Sequence, residues 1–358
     1  MKYDEYFSPD FRTARKRFRR AARDAGAKLT KLFWGLRGPL EEKLAIDIAW
    51  LGNKKARRIL LHTSGIHGVE GFAGSAIQIH LLRHPVNIPP DGAMVLVHCL
   101  NPYGMAYLRR ANEQNVDLNR NFIQHDHHRR GAHDGYHRLH PLLNPSSPPR
   151  FDFFTLRLLG RVIRHGFEYL KQAGAEGQFE YPSGLFFGGH EMQTGPRRFL
   201  KWARKKLKKA RHICVIDVHT GVGEPGKDWL ILELNHGGAY HQMLEREYPR
   251  RVDTLDPDHT IVYRVRGGLE EGIPTALHRK AHLDFVTQEF GTVSGRKLLH
   301  ALRNENRAHH HGGAVDVLDP TKIALRDCFC PPDAAWRQTA LTDGRVVVDL
   351  TAGYLFSD

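Results

Sequence analysis

The 358-residue chain is strongly basic, with a formal charge of +14, and 41% of its residues are hydrophobic, enough for a sizeable core. No apolar stretch approaches the roughly 20 residues that a membrane-spanning helix needs. The opening residues MKYDEY contain no apolar segment of a secretory signal. The four cysteines form no CxxC pair and are expected to be free thiols. We therefore expect a cytoplasmic protein.

Residues 9–27 predict a basic amphipathic helix whose Phe11, Phe18 and Ala22 face the body of the protein. Short apolar runs then alternate with helical segments. The predicted strands are 44–51, 58–62, 93–100, 213–219, 229–234, 260–265 and 283–290. The predicted helices are 71–83, 154–174, 196–209, 239–247 and 294–309. This alternation, with nearly continuous apolar strands, favours an α/β fold with a mixed, largely parallel central sheet flanked by helices on both faces.

Residues 123–150 interrupt the alternation with arginines, glycines, prolines and six histidines, which are His125, His127, His128, His133, His137 and His140. The composition predicts a long loop or lid, and histidines in such a loop can bind metal adventitiously. No internal repeat and no long low-complexity linker divides the chain. We therefore expect a single domain over residues 1–358 that includes the basic helix 9–27 and the histidine-rich loop insertion 123–150.

Polar side chains follow three of the predicted strands. His67 and Glu70 come after the strand at 58–62, His219 ends the strand at 213–219, and Glu289 lies near the end of the strand at 283–290. In an open α/β sheet the site lies at the carboxyl ends of the strands. Two histidines and one glutamate form a known ligand set for a catalytic zinc ion, which keeps its fourth position for water. A His-x-x-Glu pair alone is a weak signal.

Four segments in order strengthen the zinc hypothesis: HGVEG (67–71), RRANEQNVDLNRNF (109–122), DVHTG (217–221) and TQEFGT (287–292). Together they resemble the ordered motifs of the M14 zinc carboxypeptidase superfamily. Nearly the whole chain resembles, more closely, the bacterial DUF2817 branch, through YFSPDF, GVEGFAGSAIQ, PSGLFFGGHE and ALRNENRAHHHG. The resemblance implies one M14-like peptidase domain with a zinc-carboxypeptidase-like, phosphorylase/hydrolase-like fold.

The resemblance implies that His67, Glu70 and His219 hold one zinc ion. It implies that Glu289 is the general base that activates the attacking water. It also implies an arginine that polarises the scissile carbonyl. Arg110 stands at the matching distance, nine positions before Asn119 of the DLNR motif (117–120). The neighbouring Arg109 competes for this role, and the sequence leaves the choice open.

The same resemblance assigns the DLNR motif. Asn119 and Arg120 match the pair that binds the terminal carboxylate of the substrate, and a planar guanidinium suits that task. Asp117 matches the carboxylate that orients the first histidine ligand. An assisting tyrosine is also expected, with Tyr240 and Tyr263 as candidates that the sequence does not rank.

Three functions remain open. The first is a metallocarboxypeptidase that releases C-terminal amino acids from peptides. The second is an aspartoacylase-like deacylase of small N-acyl amino acids, which carries the same motifs; a pocket closed by residues 123–150 would favour it, whereas an open groove would favour peptides. The third is a basic, non-catalytic adaptor for an acidic partner. The basic segments 12–23 and 201–211 are interpreted as solvated helix faces, so neither nucleic acid nor membrane is expected as a partner.

Overall fold

The computed structural model describes residues 3–125, 128–232, 237–249, 251–253, 265–313 and 316–357. Within these residues a mixed eight-stranded sheet has the order β1-β2-β4-β3-β5-β8-β6-β7. The strands are β1 (Lys28–Arg37), β2 (Lys43–Gly52), β3 (Arg58–Ser64), β4 (Gly92–His98), β5 (His212–Gly221), β6 (Asp228–Ile231), β7 (Val252–Asp253) and β8 (His282–Gly291). The helices are α1 (Phe11–Asp24), α2 (Gly71–Arg83), α3 (Pro102–Ala106), α4 (Asp134–Leu143), α5 (Phe154–His165), α6 (Phe167–Ala175), α7 (Thr194–Lys206), α8 (Ala239–Glu247), α9 (Leu269–Gly272), α10 (Gly295–His311), α11 (Pro320–Phe329) and α12 (Ala334–Phe356).

The centre of the sheet is parallel. Strands β4, β3, β5 and β8 pair in parallel, while β1 and β2 add an antiparallel edge and β6 pairs antiparallel with β8. All residues of β4 are buried, and successive side chains of a strand point to opposite faces, so both faces of the sheet are covered here. The predicted α/β fold with a mixed, largely parallel sheet is confirmed.

The predicted basic helix is α1, and its Phe11, Phe18 and Ala22 are buried as expected. The side chain of Asp10 caps the helix by accepting a hydrogen bond from the Thr13 N–H at 2.7 Å. Two arginines of the helix form ion pairs with the fully buried Asp47 of β2, among them Arg19 at 3.2 Å. Part of the basic charge therefore anchors α1 to the sheet.

Several elements differ from the predicted ones. The predicted helix 154–174 is two helices, α5 and α6, because Gly166 adopts a φ of 85° between them. Strand β1 and helices α11 and α12 were not predicted. The predicted strand 260–265 lies outside the described residues except for its last residue. No helix among the described residues is both long enough and apolar enough to cross a bilayer.

The prediction of a loop throughout residues 123–150 is wrong, because α4 occupies 134–143. The apolar residues Tyr136, Leu139, Leu142 and Leu143 have helical spacing and are buried. His133 caps the helix, its Nδ1 accepting a hydrogen bond from the Gly135 N–H at 3.0 Å. The interspersed histidines concealed this apolar face in the sequence, and one of them, His127, lies outside the described residues.

Helix α7 carries much of the second basic segment. Its Phe199, Leu200, Trp202 and Ala203 are buried, whereas its lysines and arginines are exposed. This is the pattern of a solvated helix face, as interpreted from the sequence.

Candidate metal centre

The His-x-x-Glu pair lies on a tight turn between β3 and α2. A 3₁₀ turn at Gly68–Glu70 follows His67, and the Gly68 N–H donates to the carbonyl of Arg110 at 3.1 Å. A Cβ atom at Gly68 would lie 2.0 Å from the carbonyl carbon of Gly104, so only glycine permits this close approach. The turn thereby holds His67 and Glu70 against the segment that contains the arginine doublet.

Three predicted ligands converge on one point. The Nδ1 atom of His67 lies 2.7 Å from Oε1 of Glu70, and Nδ1 of His219 lies 3.1 Å from Oε2 of the same carboxylate. One ligand atom from each of the three residues falls within 4.8 Å of the others, and all three side chains are buried. Two imidazole nitrogens and a carboxylate oxygen are donors that zinc prefers in catalytic sites.

Each imidazole is held by a second carboxylate on its other nitrogen. His67 Nε2 lies 3.0 Å from Asp117, and His219 Nε2 lies 2.9 Å from Asp217. Metal-binding histidines are generally oriented in this way, with the metal on one nitrogen and a carboxylate on the other. The donor set and its surroundings therefore fit a zinc ion.

Asp217, the first residue of the motif DVHTG, is a supporting carboxylate that was not predicted from the sequence. It lies two residues before His219 in β5, and residues two apart in a strand share one face of the sheet. That spacing was a signal the sequence contained.

The electrostatics of the centre favour a cation. Burial raises the pKa of Glu70. The charges of His67 and His219, together with their hydrogen bonds to the carboxylate, lower the pKa by more, so it lies below its ordinary value. Burial likewise opposes ionisation of Asp117, yet Arg110 and His67 hold its pKa well below the usual range. These buried carboxylates are thus ionised at neutral pH, which suits a doubly charged metal.

Glu289 lies opposite His219 in the parallel register of β8 and β5. Its Oε1 accepts a hydrogen bond from the Val222 N–H at 2.8 Å. Burial and the nearby charge of Glu70 raise the pKa of Glu289 to about 7. A carboxyl group with such a pKa can both accept and return a proton near neutral pH.

The two arginines of the doublet point to different partners. Arg110 donates from Nε to Asp117 at 3.0 Å and from Nη1 to Glu70 at 3.3 Å, so its guanidinium lies at the centre. Arg109 donates from Nε to Glu305 of α10 at 2.8 Å and is buried away from the ligands. Of the doublet, Arg110 is the residue that lies beside the predicted ligands.

The ion pair of Arg109 leads to a stability prediction. Glu305 is 4% exposed and accepts hydrogen bonds from Arg109 and, at 2.9 Å, from Lys322. Glu305→Gln leaves two buried cations without their counter-charge, and we expect the free energy of unfolding in urea at pH 7 to fall by about 3–5 kcal/mol. The exposed pair Arg20–Asp24 is the control, since Arg20→Ala should cost less than about 1 kcal/mol.

The same ion pair makes the stability of the protein depend on pH. Burial raises the pKa of Glu305, but Arg109 and Lys322 outweigh it and lower the pKa below 4.5. The stabilisation is therefore present above about pH 4.5 and is lost as the pH falls through the lower pKa of the folded state. If Glu305→Gln lowered the free energy of unfolding equally at pH 7 and at a pH well below the folded-state pKa of Glu305, this account would be wrong.

The DLNR motif forms a 3₁₀ turn that Asp117 caps, accepting a hydrogen bond from the Asn119 N–H at 3.0 Å. The Asn119 Oδ1 accepts from the Leu269 N–H at 3.1 Å, and Arg120 Nη1 donates to the Asn119 carbonyl at 2.9 Å. Asn119 and Arg120 line the same cavity as His67. The turn therefore brings the predicted carboxylate-binding pair to the metal centre.

The sequence profile described as "Protein of unknown function (DUF2817)" matches residues 7–343. The chain belongs to the DUF2817 family. A search of curated proteins finds no significant match to the sequence.

Solved structures show partial similarity to this DUF2817 protein. Carboxypeptidase A from Helicoverpa armigera is 12% identical, with 87% of this chain and 74% of that chain covered and a TM-score of 0.44.

 The murein-tripeptide amidase MpaA from Escherichia coli O157 is 15% identical, with 77% of this chain and 91% of that chain covered and a TM-score of 0.35. These similarities are partial in both sequence and geometry.

Of the two candidate tyrosines, Tyr240 does not line the cavity at this centre. Tyr240 is buried in α8, where its hydroxyl lies 2.8 Å from that of Thr351 and its ring packs against Tyr354. Tyr263 lies outside the described residues. The assisting tyrosine therefore stays a prediction, and neither candidate is assigned to the role.

A second group of possible metal ligands lies at the opposite, amino ends of β5 and β8. His212 and His282 both approach the buried Asp284, at 2.7 Å and 3.2 Å. His282 is exposed, and the cavity at the metal centre contains none of these three residues. The group offers a matched control for experiments on the metal centre.

The candidate metal centre of the DUF2817 protein opens into a cavity of about 460 Å³. His67, Glu70, His219, Glu289 and the predicted substrate-binding pair lie in its wall. Residues of α4, α5, α6 and α10 line the cavity as well. Part of the 123–150 segment therefore contributes to the wall as a helix.

Proposed function

We propose that this DUF2817 protein is a zinc-dependent hydrolase that cleaves an amide bond next to a free carboxylate. The convergence of His67, Glu70 and His219 within 4.8 Å, in a cavity that also contains Glu289, carries the proposal. Zinc bound there would act as a Lewis acid, which lowers the pKa of water and polarises a carbonyl group.

Glu289 would move the proton. Its Oε1 accepts the hydrogen bond from Val222, so Oε2 is the oxygen that takes a proton from the attacking water. The water oxygen bonds to the carbonyl carbon, the carbon–nitrogen bond breaks, and Glu289 returns the proton to the leaving nitrogen. Such general acid–base catalysis contributes about 10²–10⁴-fold.

The arginines would bind the substrate. Arg110, held by Asp117 and Glu70, would place its positive charge near the oxygen that becomes negative during attack, an effect worth about 3–4 kcal/mol in other enzymes. Arg120 presents a planar guanidinium that can hold a carboxylate through two hydrogen bonds, with Asn119 beside it. These contacts would select a substrate with a free carboxylate next to the scissile bond.

Two substrate classes share this chemistry, a peptide that loses its C-terminal residue and a small N-acyl amino acid. Leu139 and Leu143 of α4 lie in the cavity wall, so the 123–150 segment encloses part of the site. A site with such a wall suits a small substrate better than a long peptide. This observation favours the N-acyl amino acid.

The third candidate, a non-catalytic adaptor, has less support. The centre keeps Glu70, Asp117 and Asp217 buried together beside two histidines, and burying carboxylates is costly unless they are paired or bind a metal. Binding of an acidic partner at the surface needs none of these residues. Nucleic-acid binding that survives about 0.2 M salt would support the adaptor instead.

The test of the proposed function is an assay of the purified protein after removal of metal by a chelator and after addition of one equivalent of zinc. We expect the zinc-loaded protein to hydrolyse N-acyl amino acids or peptides with a free C-terminus, and the metal-free protein to be inactive. Absence of stoichiometric zinc binding, or of hydrolysis of both substrate classes by the loaded protein, would refute the proposal.

Asp217→Asn should weaken zinc binding by about 10- to 100-fold, because the carboxylate orients His219 and increases the basicity of its ring. Competition with a chromophoric chelator measures the affinity. The control is Asp316→Asn, which changes an aspartate outside the cavity to the same amide. Equal zinc affinity of the wild type and Asp217→Asn would show that this carboxylate does not support a metal ligand.

A further inference from the structure

The cavity at the metal centre has a large aliphatic wall. Leu139 and Leu143 of α4, Leu158 and Val162 of α5, Leu170 of α6 and Leu302 of α10 all line it. Its volume of about 460 Å³ is about three times that of a 150 Å³ cavity that holds one benzene ring. The space is therefore larger than one amino-acid side chain requires.

Helix α5 forms part of this wall and contributes little to the core. Phe154 is the one residue of α5 that is fully buried, whereas Leu158 and Val162 are partly buried and face the cavity. Leu156 and Leu159 project elsewhere and are 64% and 53% exposed. An aliphatic ligand in the cavity would bury the exposed parts of Leu158 and Val162, which is favourable in proportion to the apolar area covered.

Most polar groups that line the cavity belong to the metal centre, although Lys171 of α6 and Arg296 of α10 line it as well. His67, Glu70, Arg110, Arg120 and Glu289 lie at the centre, and they suit an amide bond and a carboxylate. A ligand that fills the whole cavity must therefore combine a polar head with a long aliphatic portion. A short acyl group, such as acetyl, would leave the aliphatic wall without a partner.

We propose that the substrate is an N-acyl amino acid with a long aliphatic acyl chain, an inference that rests on the proposed function. The amino-acid carboxylate binds at Arg120, and the acyl chain lies along Leu158, Val162 and the other aliphatic residues. Water adds to the acyl carbonyl carbon, the amide carbon–nitrogen bond breaks, and Glu289 passes a proton to the nitrogen. The products are a fatty acid carboxylate and a free amino acid.

The first test compares acetyl, octanoyl and dodecanoyl amides of one amino acid with the zinc-loaded protein, below their micelle-forming concentrations. We expect kcat/KM to rise about three- to fourfold per added methylene group until the cavity is filled. A kcat/KM that is independent of chain length, or highest for the acetyl compound or for a peptide, would overturn the inference.

The second test uses two variants of the same helix. Leu158→Asn places an amide in the aliphatic wall and should lower the ratio of dodecanoyl to acetyl kcat/KM about tenfold. Leu156→Asn makes the same change at an exposed position of α5 and should leave the ratio unchanged. Equal ratios for both variants and the wild type would count against the chain-binding wall.

Binding of dodecanoate and acetate to the zinc-loaded protein separates this inference from the proposed function. Tighter binding of dodecanoate, weakened by Leu158→Asn, supports the chain-binding cavity even if no amide is hydrolysed, an outcome that would refute the proposed function alone. Hydrolysis of acetyl amino acids without preferential binding of dodecanoate would overturn the inference and leave the proposed function standing.

Discussion

Replacing Glu289 by glutamine is expected to lower kcat/KM by about 10²–10⁴-fold while zinc stays bound. Glutamine has nearly the same shape but cannot accept a proton, so the variant would lose the proton transfer from water to the leaving nitrogen. The residue lies beside His219 and is not one of the three proposed ligands, so the metal should remain. Steady-state kinetics and metal analysis on the same preparation measure both quantities.

The control for this variant is Glu247→Gln, which makes the same change at an exposed glutamate at the end of α8. It should retain the wild-type kcat/KM. If Glu289→Gln also keeps wild-type activity, Glu289 is not the general base. If it loses zinc as well, the residue contributes to the metal site, and its proposed role has to be replaced.

His67→Ala is expected to abolish both stoichiometric zinc binding and hydrolysis. Loss of an orienting carboxylate typically weakens metal binding about 10- to 100-fold, and loss of a ligand should cost more. The change also leaves Glu70 and Asp117 buried without the imidazole that lies 2.7 Å and 3.0 Å from them, so their mutual repulsion increases. Metal analysis after dialysis, together with the hydrolysis assay, measures the effect.

His282→Ala is the matched control, because it removes a histidine from the His212–His282–Asp284 group at the other end of the sheet. This variant should retain the one zinc ion per chain that hydrolysis requires. Retention of that zinc by His67→Ala, or its loss from His282→Ala, would place the catalytic metal elsewhere. Circular dichroism and urea unfolding of both variants establish that they remain folded.

The amino-acid sequence by itself determined the alternation of apolar strands and helices, and with it the α/β sheet. This was possible because burial on both faces of a parallel sheet demands continuous apolar runs, such as Met94–Leu96 in β4. The sequence also supplied the candidate ligands His67, Glu70 and His219, since they follow or end such runs. The edge strand β1 escaped prediction because Lys28, Thr30 and Lys31 interrupt its apolar residues, and most of the strand is exposed or only partly buried.

Only the tertiary structure decided which side chains meet. Arg109 and Arg110 are adjacent and chemically identical, and they are distinguished by the buried Glu305 of a distant helix. The placement of α4 in the cavity wall and of Asp217 behind His219 likewise depends on packing across the fold. Periodicity in a sequence reports which face of an element is buried, but contacts between residues far apart in the chain arise only when the elements pack together.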